Sequence, residues 1–147
     1  MAKVLLVGGV GTVGYSFPAN GNIYFPFLTI WHDGSGTTQL SQSASQTTFR
    51  TGGTLANLFL YVVTNTFDAS SVLTIQVNGS NGNNTITIPA AGTGNYEDTT
   101  HTDTISAGDE VNIECDRTGA SSGSVVVSVL SGLFTACLLY TSPSPRD

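Results

Sequence analysis

Gly9-Val10-Gly11-Thr12-Val13-Gly14 follows an apolar run of Val4, Leu5, Leu6 and Val7 and matches G-x-G-x-x-G in full. The chemistry such a motif supports is dinucleotide binding. A strand leads in, a helix starts at the later glycines, and its N-terminal amides face a pyrophosphate. Asp33 stands roughly twenty residues on, near where a ribose-binding acid belongs. The helix is what the sequence does not supply. The next residues read VGYSFPANGNIYF. Pro18 would remove a backbone donor inside the helix, Asn20-Gly21 signals a turn, and Tyr15, Phe17, Ile23, Tyr24 and Phe25 favour strand. A motif without its context carries little, so the reading is a glycine-bent strand in a β-domain with no cofactor.

A second match is Gly119-Ala120-Ser121-Ser122-Gly123, the G-x-S-x-G pattern of a nucleophile elbow. That motif needs a strand-to-helix turn and a histidine downstream. Here it falls between two strand-like runs, and both histidines, His32 and His101, precede it. His32 beside Asp33 could form a base and its orienting acid. Adjacent strand residues point to opposite faces, so a loop dipeptide is expected instead. No catalytic residue is assigned.

Seven of the ten acids lie between 97 and 116: Glu97, Asp98, Asp103, Asp109, Glu110, Glu114 and Asp116. A hard cation such as calcium needs several oxygens converging on one point. Glu97, Asp98 and Asp103 are the residues that would serve it. Strand alternation separates Asp98 from Asp103, and no EF-hand spacing is present. The expectation is therefore a solvated acidic loop, with Asn112, Glu114 and Asp116 facing outward on one strand, and no metal. Asn78-Gly79-Ser80 is a glycosylation sequon, meaningful only in a secretory pathway for which the sequence gives no sign.

The elements that must position these residues are strands. The chain has 147 residues, one domain's worth, with 10% charged residues and a net charge of −6. Only Lys3, Arg50, Arg117 and Arg146 are fixed positives, so there is no basic footprint for nucleic acid or for anionic membranes. No apolar run reaches membrane-spanning length. Residues 3–14 are glycine-rich and lack a small-x-small cleavage site, so they are not read as a signal peptide. Leu73, Ile75 and Val77 alternate with Val72, Thr74 and Gln76, a half-buried strand pattern. Residues 78–83, NGSNGN, read as a hairpin loop into NTITI. EVNIECD alternates, which places Cys115 with Val111 and Ile113 as a buried small hydrophobe. Residues 54–66 and 123–134 are strong strands, and residues 45–50 make a polar one. No segment keeps a helical period. The fold class is all-β, a sandwich of about eight to ten antiparallel strands.

Residues 23–31 are apolar on both faces, with Tyr24, Leu28 and Ile30 on one and Phe25, Phe27 and Trp31 on the other. A sandwich strand has one inner face, so the second needs cover. Tyr24, Phe25, Phe27 and Trp31 are the candidate contacts between subunits.

ISAGDEVNIECD followed by SVVVSVLSGLF resembles the end of a jelly roll of the tumour-necrosis-factor-like or complement-type superfamily. LTIQVNGSNGNNTITIPAAGTGNYEDTTHTDTISAGDEV resembles small β-sandwich proteins of bacteriophages and prophages. The resemblance spans roughly residues 54–134. It implies a jelly roll that assembles as a homotrimer and serves as a structural or receptor-binding head, without catalysis. The implied setting is a virion or extracellular appendage, with a larger particle or a cell-surface glycan as partner. The alternative is a carbohydrate-binding module. The last eleven residues, CLLYTSPSPRD, resemble a translated transposase sequencing adapter, which implies an assembled metagenomic or transcriptomic read. The domain is accordingly 1–136, with 137–147 a non-native tail, and Cys137 no natural partner for Cys115.

Overall fold

In a computed structural model, residues 2–9, 15–26 and 41–137 are described, and they form two packed antiparallel sheets. Ten strands follow in order: β1 Ala2–Gly9, β2 Tyr15–Pro18, β3 Asn22–Pro26, β4 Thr47–Thr48, β5 Gly53–Asn65, β6 Ser71–Val77, β7 Ser80–Ile88, β8 Gly94–Ile105, β9 Glu110–Asp116 and β10 Ser124–Ala136. A 3-10 turn, Ser43–Ser45, precedes β4. The sequence reading makes residues 45–50 a polar strand. The structure shortens it to the two residues of β4, because residues 43–45 turn instead.

The first sheet runs β1-β10-β5-β8, with β2 extending the β1 row along β10. The second runs β3-β9-β6-β7, with β4 extending the β3 row along β9. Between these rows, β6 to β7 is the one connection that stays within a sheet; the others cross the sandwich. That is the jelly-roll arrangement, an antiparallel double sheet wound from Greek keys.

Period-2 patterning builds it. On β9, Val111, Ile113 and Cys115 turn inward; on β5, Leu55, Leu58, Leu60 and Val62 do so. They meet Ile75, Ile86, Ile88, Ile105, Val125, Val127 and Leu130 in one core. Each such aliphatic side chain taken fully out of water contributes about 1.5–3 kcal/mol. The β6–β7 turn is tighter than the sequence suggests. It is Asn78-Gly79 alone, both with positive φ (52° and 80°), the type I′ geometry that matches strand twist. Asn81-Gly82 belongs to β7 itself.

Two irregularities shape the seam where β7 meets β8. Asn57, with φ 52°, breaks the β5–β8 register: Ala56 faces Thr102 and Leu58 faces Asp98, so residues 99–101 bulge from β8. On β7, residues 82–84 stand across from Ile75 alone, between the Thr74–Thr85 and Gln76–Asn81 pairs. Extra residues in one strand drop out of the ladder and bend it.

Candidate functional site

The glycine motif meets strand, not helix. Residues 10–14 lie outside the described residues, but 15–18 and 22–26 are β2 and β3, joined by Asn20 and Gly21 at positive φ. The N-terminal amides that would face a pyrophosphate therefore do not form over this segment. His32, Asp33, Phe27 and Trp31 also lie outside the described residues.

Ser121 is held as a structural donor. It sits in the β9–β10 loop, where its amide donates to Asp68 Oδ1 at 2.9 Å and its hydroxyl to Asp68 Oδ2. Ser122 adds its own amide at 3.3 Å. The Ser121 hydroxyl and the Ser122 amide together hold the Asp68 carboxyl down to about 2. A serine committed to a carboxylate in a strand-to-strand loop pins two loops together.

The acids of β8 and β9 correct the expectation of a solvated loop. Glu97 is exposed, but Asp98 and Asp103 are buried. They turn inward opposite Leu58 and Leu55, toward β7 of the other sheet. Asp103 accepts the amides of Asn83 and Asn84, at 2.5 and 3.1 Å, and the Asn84 side-chain amide at 2.8 Å. Asp98 Oδ2 accepts the Thr85 amide at 2.9 Å. Its Oδ1 gathers the bulge: the Thr100 and His101 amides at 3.0 and 3.1 Å and the Thr100 hydroxyl at 2.9 Å. His101 Nδ1 lies 2.9 Å from Oδ2. Burial alone would raise the Asp98 carboxyl; the donors from Thr85, Thr100 and His101 outweigh it and hold it well below the usual range. Of the three calcium candidates, Asp98 and Asp103 share this seam and Glu97 points to the opposite face of the sheet, beside Phe59. Among the described residues no three His, Cys, Asp or Glu side chains come together as a metal site.

The outward, solvated placement expected for Asn112 and Glu114 is corrected too, since both are buried. A polar layer covers that side of β9. Glu114 Oε2 accepts Gln76 Nε2 at 2.8 Å, and its Oε1 accepts Asn22 Nδ2 and, at 3.3 Å, the Tyr24 hydroxyl. Gln42 Nε2 donates to Gln76 Oε1 at 2.7 Å, and Asn112 Nδ2 to Ser45 Oγ at 2.9 Å. Burial, and then the Glu114 charge, push the Tyr24 hydroxyl above its ordinary value. So Tyr24 is half-buried in a polar network, while Phe25 packs into the core.

The apolar surface is on the other sheet. Val4, Leu5, Val7, Tyr61 and Val63 are the exposed large hydrophobic residues among those described, and all lie on β1 and β5. Leu5 pairs across β10 with Leu133, which pairs with Ala56; Val7, Ser131 and Phe59 form the next such row, and Val129 faces Tyr61. Residues paired across a ladder share a face. The outer face of this sheet is therefore largely apolar along β1, β10 and β5, while β8 adds Asn95, Glu97, Thr102 and Thr104 to it. Of the eight acids among the described residues, only Glu97, on edge strand β8, shares it, and Lys3 marks the opposite edge. Sequence reading misses this face because it treats β1 only as the lead-in to a glycine motif. The signal is the unbroken run Val4–Val7. The chain matches no protein-family model and no curated protein.

Proposed function

We propose that the protein is a non-enzymatic structural or adhesive subunit that works as a homo-oligomer, a trimer on the resemblance carried by residues 54–134. Its setting on the same ground is a virion or an extracellular appendage. The observation that carries the reading is the apolar outer face of one sheet, with Leu5 64% exposed and Tyr61 41%. Isolated exposed hydrophobics are ordinary, whereas contiguous ones mark contacts. A second copy suits this face on charge. The chain carries −6 overall, yet seven of its eight described acids point elsewhere, so two copies meet here without strong repulsion. A closed cyclic assembly through this face would also cover sheet edges.

A carbohydrate-binding module would present rings for stacking on sugars. Tyr61 is an exposed aromatic residue set among aliphatic side chains, which suits a protein contact better. Light scattering behind a sizing column at micromolar concentration tests the proposal. A defined oligomer is expected, and a persistent monomer overturns it.

A further inference from the structure

The β7–β8 seam shows a second feature, independent of the assembly face. β7 is the last strand of its sheet and β8 the last of the other. A terminal strand offers unpaired backbone donors to any extended chain. Here three consecutive amides of β7, those of Asn83, Asn84 and Thr85, all donate to carboxylates of β8. The β7 bulge across from Ile75 is what releases successive amides outward instead of alternate ones. The receiving groups are placed with little freedom. Asp103 lies directly over Gly82, where a β-carbon would collide with its carboxylate. Asp98 is fixed by the Thr100 and His101 amides. Asn83 Nδ2 reaches the Thr102 carbonyl at 3.2 Å, and the Asn84 side chain, fully buried, reaches both Asp103 and the Leu55 carbonyl.

We propose that Asp98 and Asp103 are an edge latch: they occupy the free donors of β7 and so keep this strand from recruiting a strand of another copy. A carboxylate suits the task because it only accepts hydrogen bonds, so it satisfies amides while offering an incoming strand no donor. Buried charge beside an edge also opposes a second chain. Opening the latch exposes a short edge rich in Asn, Thr and Ile; its pairing with a different edge of the next copy is a heterologous contact, which gives open-ended aggregates instead of a fixed oligomer.

The test compares Asp103→Ala, Gly82→Ala and the control Asp109→Ala, which removes a turn carboxylate away from β7's amides. Hydrogen exchange over residues 80–88 and light scattering against time are the readouts. Asp103→Ala and Gly82→Ala should speed exchange in this segment at least ten-fold and cause slow growth beyond the wild-type species. Adding Asn83→Lys to either should suppress that growth, since an edge lysine opposes strand addition. Growth in Asp109→Ala as well, or none in the latch variants, overturns the proposal. Where a variant loses its fold, exchange in the wild type decides. Amides 83–85 should exchange as slowly as core amides, and exchange at the rate of an open strand overturns the latch.

Discussion

Phe49 and Phe134 meet edge to face, their ring centroids 5.0 Å apart and their planes at 64°. Phe49 follows β4 at one sheet, and Phe134 lies on β10 of the other, so the pair joins the two layers. The Phe49 amide and carbonyl are bound as well, to the Asp109 carbonyl at 2.9 Å and from the Gly108 amide at 2.7 Å. Phe49→Ala should therefore destabilise by about 3–5 kcal/mol, the usual cost of a buried aromatic cavity. Denaturant unfolding measures it, and a loss below about 1 kcal/mol would place the ring outside the core.

Leu5→Lys separates assembly from folding. Leu5 is mostly exposed within one copy, so the melting temperature of the isolated subunit should hardly move. On the outer face it sits beside Leu133, and a lysine there should weaken self-association roughly ten-fold or more, about 1.4 kcal/mol. Sedimentation across a dilution series reads this. If wild type is oligomeric and the variant is too, the contact lies on another face.

Acid should weaken the fold through Asp98. Its carboxyl titrates lower in the folded chain than in the unfolded one, where aspartate sits near ~3.9. The stabilisation is thus complete above about pH 4 and drains away as the pH falls below that value. Thermal melts should be flat from about pH 7 to 5 and drop steeply below 4. In Asp98→Ala the plateau should fall by on the order of 1–3 kcal/mol, since the part-buried amides of Thr85, Thr100 and His101 lose their acceptor, and the acid drop should become shallower. An unchanged acid limb in the variant would assign the sensitivity to other carboxyls.

Cys115 should be inert while the chain is folded. It is 2% exposed, and burial pushes its thiol up to about 12, with Arg117 pulling weakly the other way. The thiolate is the reactive form, so alkylation at about pH 8 should proceed only as fast as the protein unfolds. Cys137 is exposed and should react at once. Site-resolved mass spectrometry after iodoacetamide distinguishes them; equal rates in native buffer would contradict the packing of β9.

Calorimetric titration with NAD or NADP should be flat, because β2 and β3 occupy the segment where the motif needs a helix. Saturable micromolar binding would reverse that conclusion. Ser121→Ala should cost little beyond its tie to Asp68, and no hydrolytic activity should depend on it.

Much of the fold is legible in the sequence because strand patterning is local. Leu73, Ile75 and Val77 on β6, and Val111, Ile113 and Cys115 on β9, declare their pleat within seven residues. Asn78-Gly79 declares its turn in two, since both positions need positive φ. What the sequence could not say is what covers each second face, because that depends on partners far along the chain. Asp103 turns into a seam because β7 arrives 19 or 20 residues away in sequence with its amides bulged outward. Asn112 is buried because Ser45, 67 residues away, lies over it. Leu5 and Val7 stand exposed on an outer face, and Leu6 between them enters the core, because β1 pairs with β10, at the far end of the described chain. Alternation fixes which residues share a face; only the winding of the two sheets decides whether that face meets water, a carboxylate or another apolar side chain.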